Sequence, residues 1–258
     1  MRARAAGRII RAMTLLDKVA LVTGGARRLG REIALALARE GCDVVLHYRD
    51  SREEADALAR EIRSLGRQAW CVCGDFSNVY EPAVTMRTAW ELAGWVDILV
   101  NNASAYSHDS LADVPVERMQ ELWRVNALAP MMLARTMAEL AAASEILPAG
   151  YCGRVVNVLD RSVARPAAEF AAYWLTKKSL EAFTQAAALE FAPRFAVNAV
   201  APGPVLPPAD ADLAEPAGPS PLAIRPLPAD VAAAVVYLAG AASVTGQTLY
   251  VDSGQHLL

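Results

Sequence analysis

The chain has 258 residues, 54% of them hydrophobic, and a formal net charge of -3 from 28 acidic and 25 basic side chains. That length and apolar content suit one α/β domain with a doubly covered sheet. The mild negative charge gives no basis for a nucleic-acid partner. Polar residues break the apolar runs before they reach membrane-spanning length, which excludes a transmembrane helix and a membrane role. Cys42, Cys71, Cys73 and Cys152 lack CxxC or CxxC/HxxxH spacing and read as reduced core thiols of a cytoplasmic protein. His47, His108 and His256 are too dispersed to form a metal site.

Residues 1–16 carry Arg2, Arg4, Arg8 and Arg11. This Arg-rich, acid-poor start resembles a targeting peptide in composition, but its shortness and the presence of Met13 favour a disordered extension. The folded pattern, residues 17–258, opens with a strand at 18–23, then Gly24-Gly25-Ala26-Arg27-Arg28-Leu29-Gly30 and an amphipathic helix bearing Ile33, Leu35, Leu37 and Ala38, stopped by Gly41. Strand, glycine-rich turn and helix form the context of a dinucleotide fingerprint. Gly24 permits the tight turn, Gly30 permits close packing of helix on strand, and the helix N-terminus faces a pyrophosphate. The spacing is TGxxxRxG, with Arg28 where a second glycine is usual, so an ordinary βα turn stays open as the alternative.

The second strand, 43–47, ends beside the residues that choose the cofactor. An acidic residue there binds the ribose 2′-hydroxyl of NAD, and arginine accepts the 2′-phosphate of NADP. Tyr48 falls at the discriminating position with Arg49, Ser51 and Arg52 behind it, and Arg28 can reach the same phosphate, so the charges favour NADP(H). Asp50 reads as the cap of the next helix. A third strand, 68–73, leads to Gly74-Asp75-Phe76-Ser77-Asn78, where Asp75 can hold an adenine amino group or serve as a turn or cap aspartate. After a helix at 81–93 and a strand at 96–100, Asn101-Asn102-Ala103-Ser104 combines asparagines that can tie neighbouring strands with small residues that leave room for a nicotinamide ribose.

The spacing predicts one long helix at 116–143 carrying Asn126, then a strand at 155–159 with Asp160 just past it. Tyr173 and Lys177 stand four apart on a helix at 171–192, one face apart by a single turn. An ammonium beside a phenol favours the phenolate and lowers its pKa; the alternative is a plain helix-surface pair. A sixth strand at 195–200 runs into Pro202-Gly203-Pro204-Val205. The proline-rich stretch at about 204–228 reads as a substrate lid. A helix at 228–240 and a strand at 247–251 finish the chain. The predicted fold is a single Rossmann-type, doubly wound parallel sheet of about seven strands with helices on both faces.

TGGARRLG, CGDFSN, NNAS, Tyr173 with Lys177, and PGPV at 202–205 resemble, in order and spacing, the short-chain dehydrogenases/reductases. Arg28 in the glycine turn, LHYRDS after the second strand, NNASAY, Asp160 in the place of the usual serine, and the ending VDSGQHLL are most similar to the pteridine and dihydromonapterin reductases. The resemblance implies that Tyr173 donates the proton, Lys177 holds the nicotinamide ribose and lowers the tyrosine's pKa, and Asn126 distorts its helix to keep a relay water. It implies NADP(H) held by Gly24, Arg27, Arg28, Leu29, Gly30, His47, Tyr48, Arg49, Ser51, Asp75, Phe76, Asn102, Ala103, Ser104, Lys177, Pro202, Gly203 and Val205. Ser162 is the reserve for Asp160. Tyr106 would offer a ring face to a flat substrate, or else pack on the surface as a loop tyrosine.

An ionised carboxylate cannot donate a hydrogen bond to a ketone oxygen, but it can hold an amino-bearing heterocycle. The expected activity is therefore reduction of a pterin-like C=N bond with Asp160, Tyr173, Lys177 and Asn126 as the catalytic set. A generic ketone or 3-oxoacyl reductase is the nearer alternative, and a non-catalytic NADP(H)-sensing module the farther one. The resemblance also implies a homotetramer seamed by the helices at 116–143 and 171–192, whose Ala-rich faces can equally pack on the sheet.

Overall fold

The computed structural model describes residues 15–148, 150–206 and 219–258. Nearly all of the expected N-terminal extension, and residues 207–218 of the expected lid, lie outside the described residues. Strands β1 (Val19–Val22), β2 (Asp43–Tyr48), β3 (Ala69–Cys73), β4 (Ile98–Asn101), β5 (Gly153–Val158), β6 (Phe195–Pro202) and β7 (Thr248–Val251) form one sheet in the order β3-β2-β1-β4-β5-β6-β7. Every neighbouring pair is parallel. The order reverses between β1 and β4, and a crevice opens outside their carboxyl ends.

Period-two alternation sends each strand's side chains to two separate cores. Ala20 and Val22 of β1 pack with Ile33 and Leu37 of α1 (Arg28–Arg39), Leu58 and Ile62 of α2 (Arg52–Ser64), and Val231 and Val235 of the helix Pro228–Gly240. Val19 and Leu21 face the other way, onto Met86 of α3 (Glu81–Ala93), Leu133 of the helix Ala129–Ala143 and Ala187 of the helix Ala171–Glu190. The sheet is thus covered on both sides, which is why its strands read as continuous apolar runs. Among the described residues, no helix is long and apolar enough to cross a membrane.

Three sequence expectations need correction. The segment predicted as one helix is α4 (Val116–Trp123), a π-helical turn (Arg124–Leu128) and α5 (Ala129–Ala143), with Asn126 inside the interruption. Asp50 does not cap α2; Ser51 is the cap position, and Asp50 accepts from Arg49 Nε at 2.6 Å instead. Of the four cysteines, all free, only Cys42 is a core thiol, whereas Cys73 and Cys152 are exposed. The remaining α-helices among the described residues are α6 (Ala171–Glu190) and α7 (Pro228–Gly240).

Candidate active site

The glycine turn between β1 and α1 is fixed from below by a buried imidazole. Gly24 N donates to His47 Nδ1 at 3.1 Å, and His47 Nε2 lies 3.0 Å from the Gly74 carbonyl oxygen. The ring also stacks on Phe76, centroid to centroid 4.2 Å. One nitrogen must accept and the other donate, so the imidazole is neutral, and burial lowers its pKa to about 4. A folded-state pKa below the unfolded one means stability that is complete above about pH 6.5 and lost as pH falls toward 4. We expect this residue to account for about 3 kcal/mol of acid destabilisation over that window. Denaturant midpoints measured against pH should show the slope in the wild type and its absence in His47→Asn.

A cleft of about 480 Å³ runs along the carboxyl ends of β1, β2 and β4. Of the residues expected to hold a cofactor, Gly24, Arg27, Arg28, Leu29, Gly30, His47, Tyr48, Arg49, Ser51, Asp75, Phe76, Asn102, Ala103 and Ser104 line it. Lys177, Pro202, Gly203 and Val205 do not. Lys177 is a buried residue of α6, and Gly203 packs against Asp252. A Cβ on Gly30 would stand 2.1 Å from the Gly24 carbonyl oxygen, so only glycine lets α1 come this close. Arg28 keeps a positive φ of 53° where a glycine is usual, so the turn retains its shape and gains a cation. Asn102 closes the other wall, its Nδ2 donating to the Thr23 carbonyl at 2.8 Å. Asp75 Oδ1 accepts from Ser77 N at 2.9 Å, so its turn role is realised while it also lines the cleft.

Arg27 pairs with Glu54 at 3.4 Å and Arg49 with Asp50 at 2.6 Å, both pairs exposed at the cleft's mouth. Exposed pairs are weak enough to exchange for a phosphate. Backbone amides at a helix N-terminus, a glycine-only approach and guanidinium groups are the donor set of a phosphate-bearing dinucleotide, so the residues present fit NADP(H).

At the carboxyl end of β5, Asp160 begins a 3-10 turn (Arg161–Ala164), its Oδ1 accepting from Ser162 N at 2.8 Å. Its Oδ2 receives the Tyr173 hydroxyl at 3.4 Å, a long hydrogen bond. Ser162 Oγ is buried without a hydrogen-bond partner, so the carboxylate and not the reserve serine meets the tyrosine. Lys177, one turn further along α6, donates to the Val158 carbonyl at 2.9 Å and lies 5.8 Å from the Tyr173 ring centroid.

Here the expected electrostatics are reversed. Burial, and then the charge of Asp160, push the Tyr173 phenol well above its ordinary value. The expectation is that Lys177 lowers that pKa, but its ammonium donates to the Val158 carbonyl of β5 at 2.9 Å, and the raising effects of burial and Asp160 prevail. Burial also lowers Lys177 itself to about 8, against the opposing pull of Asp160.

Asn126 occupies the π-helical turn with its amide fully committed. Its Oδ1 accepts from Ala105 N at 2.8 Å and Ser104 Oγ at 3.1 Å, and its Nδ2 donates to the Ala105 carbonyl at 2.8 Å and Thr176 Oγ1 at 3.1 Å. The helix distortion is present, and the side-chain amide ties the loop after β4 to α6.

Sequence reasoning missed Thr176, Arg118, His108 and Phe170. Arg118 lines the cleft and donates to the Tyr106 carbonyl oxygen, while Nη1 pairs with Glu121 at 2.6 Å. Tyr106 packs edge-on against Tyr173 at 4.9 Å, and Phe170 lies 6.2 Å from Tyr173. The only sequence signal for His108 and Phe170 is proximity, His108 two residues after Tyr106 and Phe170 three before Tyr173.

The sequence profile of the short chain dehydrogenase family matches residues 18–217. An oxidoreductase of Mycobacterium tuberculosis is 37% identical over 250 residues, covering 92% of this chain and 92% of its own. A 3-oxoacyl-[acyl-carrier-protein] reductase of Synechocystis is 33% identical over 246 residues, covering 93% and 97%. Among solved structures, FolM alternative dihydrofolate reductase 1 from Brucella suis, in complex with NADP, superposes with a TM-score of 0.85 at 33% identity, covering 93% of this chain and 96% of that one.

Proposed function

The chain belongs to the short chain dehydrogenase family of oxidoreductases, and we propose that it is an NADPH-dependent reductase of a C=N bond in a dihydropterin- or dihydrofolate-like ring. The observation that carries this reading is the contact of Asp160 Oδ2 with the Tyr173 hydroxyl at 3.4 Å. A carboxylate beside the donor accepts N–H groups, which an aminopterin ring supplies and a simple ketone does not. The likeness to a dihydrofolate reductase holding NADP supports the same choice of cofactor and substrate.

The nicotinamide, when bound, supplies the hydride. Tyr173 keeps its proton at Oη at neutral pH, because burial and Asp160 both favour the neutral phenol. A reductase needs its acid in that loaded form. Asp160 orients the hydroxyl and offers its outer oxygen to a ring N–H. Lys177, protonated below about pH 8, puts a cation under the reacting end of the site. Asn126 and Thr176 tie the loop after β4 to α6, so the two walls hold their spacing.

The relationship to a 3-oxoacyl-[acyl-carrier-protein] reductase favours a second reading, a ketone reductase using the same Tyr173 and Lys177. A cytoplasmic homotetramer is part of the proposal, with exposed Trp123, Leu175 and Leu189 on α4 and α6 offered to other copies. NADPH consumption should be measured with dihydrofolate, dihydrobiopterin and dihydromonapterin against 3-oxoacyl thioesters and hydroxy-ketones. Turnover of a dihydropterin, with NADPH preferred over NADH by tenfold or more in kcat/KM, is the expected result. Turnover of ketones alone would move the assignment to the second reading.

A further inference from the structure

The side of the site facing Tyr173 is built of rings, and one of them has no evident task in the chemistry. Tyr106 is 51% exposed on the loop after β4, where a long side chain would ordinarily sample several rotamers. It is held at both ends. Its hydroxyl is 3.0 Å from His108 Nδ1, and its carbonyl oxygen accepts from Arg118. Ser107 Oγ donates to Asp109 across the intervening histidine, which fixes the backbone on either side of His108. The ring is thereby set edge-on to Tyr173, 4.9 Å between centroids at 73°. Phe170 closes the third side, 6.3 Å from Tyr106, 6.2 Å from Tyr173 and 6.1 Å from His108.

We propose that His108 is a positioning residue that makes the site selective for planar rings by fixing Tyr106 through its hydroxyl. The proposal deepens the pterin reading and rests on it for the location of the substrate. A flat π-system gains from a ring face held in place, whereas a saturated chain gains little beyond its buried area. Holding the tyrosine in one rotamer before binding also removes an ordering cost that would otherwise fall on association. His108 touches Tyr106 and not the reacting hydroxyl, so its effect belongs to binding and leaves the proton transfer intact.

The test is a double-mutant cycle read by binding, with NADP⁺-loaded protein titrated calorimetrically with pterin and with a linear 3-oxo ester. His108→Ala and Tyr106→Phe are each expected to weaken pterin binding about tenfold, equivalent to ~1.4 kcal/mol, with the ester affected less than about twofold. The double variant should be no weaker than the weaker single one, because both remove the same contact. His108→Gln, whose amide can still meet the phenol hydroxyl, should recover most of the affinity. Additive losses, equal losses for both ligands, or wild-type pterin binding no tighter than ester binding would overturn the proposal. Tight and selective pterin binding without turnover of any dihydropterin would leave the role of His108 standing and remove the pterin-reductase reading instead.

Discussion

Tyr173→Phe is expected to lower kcat by about 10²–10⁴-fold while NADPH binds as before. The substitution deletes one oxygen from a residue that is 6% exposed and leaves its ring packing intact. Tyr106 and Phe170 still meet an aromatic edge at 4.9 and 6.2 Å. Asp160 keeps its bond from Ser162 N, so the carboxylate does not collapse into the gap. The cleft proposed to receive the adenine and phosphates does not include this side chain, so fluorescence titration with NADPH should be unchanged. Stability should also hold, since the lost hydrogen bond is long at 3.4 Å and the phenol is buried against a negative charge. A kcat within tenfold of wild type would mean that the proton comes from another group, and the mechanism would have to be rebuilt around it.

The parts of this molecule that were legible in the sequence are those set by local geometry. The Gly24–Gly30 spacing announced a turn that only glycine can close, and the 2.1 Å approach at Gly30 is the physical reason. Short continuous apolar runs and helical patterns locate seven strands and their helices because the sheet is buried on both faces. The position of Asp160 relative to Tyr173 was readable for the same reason, since a strand end and a first helical turn fix both. What spacing cannot carry is direction and burial. Lys177 follows Tyr173 by one turn, but the ammonium points at Val158, and the desolvation that reverses the tyrosine's pKa exists only in the packed structure. The π-helical turn at Asn126 depends on an amide gripping a loop twenty-one residues away in sequence, at Ala105. His108 comes within 6.1 Å of Phe170, three residues before Tyr173, only through the tertiary path of the loop after β4.

Lys177→Met should separate function from stability with opposite signs. The lysine is 2% exposed and its pKa is lowered from 10.5 to about 8, chiefly by burial. Holding that ammonium protonated in the folded chain at pH 7 therefore costs about 3 kcal/mol. Methionine fills a similar length with no charge, at the loss of a hydrogen bond to the Val158 carbonyl oxygen. Leaving that carbonyl unpaired returns about 1–3 kcal/mol of the gain. The expected balance is a net stabilisation of about 1 kcal/mol, seen as a Tm rise of about 2–4 °C in a chain of this size. The sign with pH is specific. Below pH 8 both states of the wild type are protonated and the penalty is complete. As pH rises from about 8 toward 10.5 the folded state sheds its proton first, the penalty fades, and the wild type closes on the variant. Over the same range kcat of Lys177→Met should stay on the order of a hundredfold below wild type at pH 7, because no cation remains beneath the reacting end of the site. Thermal melts and steady-state rates at pH 6.5, 8 and 10 would measure both. A variant that loses Tm at every pH in step with kcat would make Lys177 a structural residue and take the charge argument with it.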